Sequence, residues 1–89
     1  MRLILYSKPG CHLCEGLQEK LEQIKNLDFE LEVRDITTRD DWFNTYQYEI
    51  PVLFRVAFEG EEVEQPIPRP SPRATVQQLE QMLKKYLSM

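Results

Sequence analysis

One histidine and two cysteines are all the Cys and His ligands for zinc in this 89-residue chain. A structural zinc takes four such ligands, and His12 sits between the cysteines on a different side of the expected helix start, so no intrachain metal site is expected. Cys11 and Cys14 are too close in sequence to close a useful structural loop, which makes a purely stabilising disulfide the weakest account of them. Excess positive charge is also missing. The formal net charge is −4 and the isoelectric point about 5.0, with the basic residues scattered, so nucleic acid is not an expected partner. Long apolar runs are absent too. Leu3-Ile4-Leu5-Tyr6 and Val52-Leu53-Phe54 are far below bilayer length, and Met1-Arg2 leads into a strand pattern without a signal-peptide core. A cytoplasmic monomer with no membrane contact is the expectation.

What remains is ordinary globular material: 42% apolar residues, 29% charged residues and clear periodicity. The length allows one modest core, so residues 1–89 are read as a single domain without repeats or a linker. Residues 2–7 form a nearly continuous apolar run, the pattern of a strand covered on both faces. Lys8-Pro9-Gly10 breaks it. From Cys11 to about Asn26, Leu13, Leu17, Leu21 and Ile24 recur at helical spacing opposite a polar face. Phe29, Leu31 and Val33 then alternate with charged residues, predicting a second strand that runs to about Ile36 with one face buried.

Residues 37–41 supply N-cap candidates and early acidic charge for a short second helix, in which Trp42, Phe43 and Tyr46 form an apolar side expected in the core. Ile50-Pro51 precedes the β-prone run 52–58. Glu59-Gly60 separates that run from residues 61–65, predicting a hairpin whose second strand is an edge. Prolines at 66, 68, 70 and 72 read as an extended connector, and Val76, Leu79, Met82, Leu83, Tyr86 and Leu87 mark a last helix with Thr75 as its cap candidate. The order β-α-β-α-β-β-α implies a right-handed parallel βαβ unit joined to an antiparallel pair. The predicted architecture is an α/β mixed four-stranded sheet with helices on both faces.

Both cysteines fall at the start of the first helix, directly after the first strand. Unpaired N–H groups and the positive end of the helix dipole favour an anion there, and can bring a thiol from about 8.5 into the range of about 3.5–7.5. Cys11 is the expected thiolate. Cys14, one turn further on the same side, can attack a mixed disulfide formed at Cys11 and release the partner reduced. Lys8, and His12 when protonated, add positive potential; Glu15 opposes it. The plain alternatives are a solvated Lys8 and an exposed His12.

The run Tyr6-Ser7-Lys8 followed by Cys11-x-x-Cys14 resembles the glutaredoxins, and Ile50-Pro51 resembles the proline that faces the active cysteine in thioredoxin-fold proteins. The element order extends the resemblance over essentially the whole chain, to the short glutaredoxin-like proteins. It implies a thioredoxin-like fold and a dithiol–disulfide oxidoreductase with Cys11 as nucleophile and Cys14 as resolving thiol. It further implies that Lys8 contacts a glutathione carboxylate, that Pro51 is cis, and that the Ile50 backbone pairs with the bound cysteinyl peptide. Taken alone, a proline entering a strand would be read as trans.

Two departures matter. His12-Leu13 replaces the Pro-Tyr usual between the cysteines. In place of the Gly-Gly pair and Asp that receive the γ-glutamyl end of glutathione stands the Pro-rich segment with Arg69 and Arg73, and no glycine follows Gly60. No cofactor is expected, and glutathione as co-substrate is in question. The expected partners are a disulfide-containing protein or small molecule and a thiol reductant. Two rival readings stay open: an iron–sulfur cluster shared between two chains, and a peptide-binding module with idle thiols whose surface uses Trp42, Phe43, Tyr46 and Tyr48. The Pro-rich run could likewise be a recognition segment or an anion clamp, with the stiff connector the plainer account.

Overall fold

The computed structural model describes residues 2–56 and 64–87. Its elements are β1 (Arg2–Ser7), α1 (His12–Gln23), β2 (Glu30–Asp35), a 3₁₀ turn (Ile36–Thr38), α2 (Asp40–Tyr46), β3 (Val52–Val56), β4 (Glu64–Ile67) and α3 (Val76–Leu87). The four strands lie in the order β2-β1-β3-β4. β1 pairs in parallel with β2 and antiparallel with β3, and β3 pairs antiparallel with β4. The expected element order and mixed sheet are therefore observed; the expected hairpin turn at Glu59-Gly60 lies outside the described residues.

The interior position of β1 accounts for its unbroken apolar run. Leu3 and Leu5 join Leu17, Leu21 and Ile24 of the α1 side and Leu79 and Leu83 of α3, together with Leu53 and Ile67, in one buried cluster. Ile4 and Tyr6 point to the other face, where Ile36, Val56 and the half-buried Trp42 and Tyr46 form a second cluster. Each fully buried leucine contributes about 1.5–3 kcal/mol. The larger cluster, bracketed by two helices, therefore carries most of the fold. Helices do lie on both faces.

Several local expectations are corrected. Leu13 does not face the core: it is 54% exposed, and the buried stripe of α1 is Cys14, Leu17 and Leu21. Both sets recur at helical spacing, and Cys14 takes the position that the leucine pattern assigned to Leu13. Phe43 is also at the surface, and Val33 lies on the edge strand β2 with its side chain exposed. The second helix begins after Arg39, which makes no side-chain cap; Asp35 instead caps the 3₁₀ turn, accepting from the Thr37 backbone N–H at 2.9 Å.

Pro66 belongs to β4, paired with Phe54, rather than to a connector. An edge strand tolerates its missing N–H. At α3 the expected cap is present in reciprocal form: Thr75 Oγ1 accepts from the Gln78 N–H at 3.1 Å, and Gln78 Oε1 accepts from the Thr75 N–H at 2.9 Å.

On the α2 face a polar bridge crosses the sheet. Arg34 donates to the Tyr6 hydroxyl at 2.7 Å and pairs with Glu64 at 3.0 Å and with Glu32, while the Tyr6 hydroxyl donates to Glu64 at 3.2 Å. The guanidinium groups of Arg34 and Arg39 lie 5.3 and 4.6 Å from the Trp42 ring centre, and Tyr6 stacks on Tyr46 at 4.3 Å. Burial pushes the Tyr6 phenol above its ordinary value, although its bond from Arg34 acts the other way, and burial raises Tyr46 as well. Both rings stay neutral and hold α2 to the sheet.

Candidate functional site

The stretch between β1 and α1 is a turn built by its residue types. Cys11 N–H bonds the Lys8 carbonyl at 3.3 Å, with Pro9 and Gly10 as the two central residues and Gly10 at φ 81°. Proline at the first central position and a positive φ at the second are the requirements of a type II turn. The turn delivers Cys11 to the N-cap of α1, where the Cys11 carbonyl accepts from Glu15 N–H at 3.0 Å and Sγ accepts from Cys14 N–H at 3.3 Å. The cysteine thus occupies the place where Ser or Asp usually satisfies an orphan N–H.

Cys11 and Cys14 form a disulfide, their Cα atoms 5.3 Å apart. The two sulfurs sit in different surroundings. Cys11 is half-exposed at the helix start, whereas Cys14 is 1% exposed and packed into the sheet side of α1. An external thiol or disulfide meets Cys11 and not Cys14.

Beside the disulfide runs a groove of about 260 Å³. His12 and Leu13, the two residues between the cysteines, line its near end, and Gly16, Leu17 and Lys20 continue that wall along α1. Pro51 is at its base, and residues 69–72 form the opposite wall. The Ile50-Pro51 bond is cis. Two cations fix the far wall: Lys20 Nζ donates to the Pro72 carbonyl at 2.9 Å, and Arg69 donates to the Glu49 carbonyl. The segment read as a free connector is therefore a clamped part of the site, a correction to the sequence reading.

The remaining expected site residues divide. Pro51 is buried at the groove. Lys8 is exposed on the turn and is not among the groove-lining residues. The His12 side chain is 96% exposed, with Nδ1 3.8 Å from a Glu15 carboxylate oxygen, so its charge when protonated is partly offset. Ile50 packs against the α2-face cluster, and its N–H is committed to the Tyr46 carbonyl at 3.1 Å. Sequence reasoning did not find Lys20, Gly16 or Ser71. The only signal for the far wall was the arginine content of the proline run.

No group of three or more His, Cys, Asp and Glu side chains that could hold a metal ion occurs among the described residues. No described helix is long and apolar enough to cross a membrane. A partly exposed cysteine at a helix start, a buried one a turn behind it and a groove alongside fit thiol–disulfide chemistry.

Known structures agree on the fold. Thioredoxin 1 from the thermophilic eubacterium Thermosipho africanus TCF52B superposes with a TM-score of 0.63 at 19% identity, over 99% of this chain and 96% of that one. The X. campestris structural-genomics target protein XcR50 superposes with a TM-score of 0.58 at 24% identity, over 93% of this chain and 96% of that one. The fold is thioredoxin-like. No match was found among curated proteins. At the level of family the answer is direct, because residues 2–84 match the model of the glutaredoxin-like domain (DUF836), and the chain belongs to that family.

Proposed function

We propose that the protein is a small thiol–disulfide oxidoreductase of the cytoplasm, acting as a monomer, in which Cys11 is the nucleophile and Cys14 the resolving thiol. The observation that carries this reading is the asymmetry of the pair: the partly exposed Cys11 is at the helix N-cap, and the buried Cys14 lies behind it within bonding reach. In the reduced protein the Cys14 N–H and the other first-turn N–H groups stabilise a Cys11 thiolate.

The cycle balances as two exchanges. The Cys11 thiolate attacks one sulfur of a substrate disulfide, forming a mixed disulfide and expelling the other sulfur as a thiolate that takes up a proton. Cys14, deprotonated, then attacks the Cys11 sulfur and expels the second substrate thiol. The substrate gains two electrons and the protein is left as the Cys11–Cys14 disulfide, which an external dithiol reduces by the same steps in reverse. Because the Ile50 N–H is occupied, pairing with an extended substrate would use its carbonyl.

By the resemblance, the Pro-rich stretch 66–73 replaces the glutathione-receiving turn and holds no glycine, which supports a protein dithiol as reductant over glutathione. Burial of Cys14 also weighs against a shared iron–sulfur cluster, since only Cys11 could offer its sulfur to a second chain.

The test is disulfide reduction driven by dithiothreitol, by a thioredoxin-type dithiol protein or by glutathione, with Cys11→Ser as the blank. Turnover with the two dithiols and little with glutathione is expected. Cys14→Ser should accumulate a mixed disulfide at Cys11, visible by mass spectrometry. A folded protein inactive with every donor would refute the oxidoreductase reading and leave a binding module.

A further inference from the structure

The groove beside the disulfide has cationic and apolar walls and no carboxylate among its described lining residues. Its two permanent cations, Lys20 and Arg69, are both bonded to backbone carbonyls rather than to acidic side chains. A carbonyl satisfies a donor without the opposite charge that a carboxylate brings. The Glu15 carboxylate lies beside a lining residue, but it faces His12 at the near end.

The same groove is lined by apolar residues, among them Leu13, at 54% exposure, Pro51 and Pro70. Its volume of about 260 Å³ lies just below the about 300–1,000 Å³ of small-molecule pockets and suits a short stretch of chain.

We infer that Lys20 and Arg69 make this groove a docking site for an acidic peptide stretch, so that the preferred substrate is a protein-borne disulfide with Asp or Glu close in sequence to the attacked cysteine and an apolar residue between them. The substrate part of this inference rests on the oxidoreductase reading; the docking part does not. The hydrogen bonds to Pro72 and Glu49 restrict both side chains, which lowers the ordering cost when a carboxylate arrives. Exposed charge pairs contribute about 0.2–1 kcal/mol each, up to about fivefold in affinity per charge, and the effect fades with salt.

The experiment separates docking from chemistry. Fluorescently labelled hexapeptides with serine in place of the central cysteine, flanked by Asp and Glu, by neutral residues or by Lys, are titrated with the oxidised protein and followed by anisotropy. The acidic peptide should bind about tenfold more tightly than the basic one at low salt, with the difference shrinking several-fold when salt is raised. Lys20→Gln and Arg69→Gln should each lower the preference while retaining a donor for the carbonyl, and Lys20→Arg should restore it. Equal binding of the three peptides, or a preference that survives in the Lys20→Gln/Arg69→Gln protein, would overturn the inference. Acidic preference in binding without turnover of the corresponding cysteine disulfides would keep the docking site and refute the oxidoreductase instead.

Discussion

Alanine at Gly10 and alanine at Gly16 should shift stability in opposite directions. An added Cβ meets nothing within 4 Å at either position, so neither effect is a clash. Gly10 sits at φ 81°, where a side chain costs about 1–2 kcal/mol; the reduced freedom of the unfolded chain returns about 0.4–1 kcal/mol. The net is a loss of about 1 kcal/mol. Gly16 lies inside α1, where replacing glycine with alanine gains about 0.8–1 kcal/mol. For a chain of 89 residues, where 1 kcal/mol moves the midpoint by about 4–8 °C, Gly10→Ala should melt about 4–8 °C lower and Gly16→Ala about 3–8 °C higher. Calorimetry of the oxidised proteins, supported by urea titration, measures both. The two variants should also separate function from stability. Gly10 sets the entry of Cys11 into the helix and its loss should slow reaction at that sulfur, whereas the new methyl at position 16 faces the groove and should weaken peptide docking in a more stable protein. A Gly10→Ala protein as stable as the parent would refute the turn assignment, and a destabilised Gly16→Ala protein would show that the groove wall is tighter than its geometry indicates.

Thr75→Ala should cost about 1 kcal/mol by removing one half of the reciprocal cap at α3, read as an earlier urea midpoint with an unchanged slope; no change would mean that Gln78 caps the helix alone. Stability should also fall under alkali for a specific reason. The folded Tyr6 and Tyr46 phenols titrate above their ordinary value, chiefly through burial, so their contribution is complete below the unfolded value of about 10 and is lost as pH rises through the higher folded one. Urea midpoints measured upward from that pH should decline more steeply in the parent than in a Tyr6→Phe/Tyr46→Phe protein, and parallel profiles would remove the two rings from the account.

The parts of the fold that the sequence made legible are those in which one element's own period carries the information. β1 reads as a strand because Leu3, Ile4, Leu5 and Tyr6 are all buried, two toward each helix layer. The cap at Thr75 is local and was legible for the same reason. α1 shows where such reading fails. Leu13 and Cys14 are adjacent, and either completes a helical stripe with Leu17, Leu21 and Ile24; the choice between them depends on how the helix is rotated against β1. Reading cysteine as chemistry alone removes it from the list of core candidates, yet Cys14 is among the most buried side chains. Its burial is part of its proposed role: a thiol inside the fold can be reached by Cys11 and not by solvent.

The groove was legible only by half, and the reason is sequence distance. The cysteines and Gly10 specify the turn, the N-cap and the disulfide within a few residues. The far wall depends on Lys20 meeting Pro72 across 52 positions and Arg69 meeting Glu49 across 20, and no periodicity links such residues. Alternating prolines describe a stiff, extended segment equally well whether it is solvated or clamped. What distinguishes the two states is the balance of small terms. A segment with few N–H donors cannot extend a sheet, but its carbonyls can accept, and a cation on each side supplies the donors. Proline stiffness lowers the entropy lost when those two bonds form, so two exposed bonds suffice to place the wall. Replacing Pro70 by glycine would leave both donors intact and raise that entropy cost. The structure then requires weaker docking of acidic peptides together with a melting temperature a few degrees lower, because the freer unfolded chain costs about 0.4–1 kcal/mol while no core contact is lost: Pro70 is a half-buried groove residue outside both core clusters.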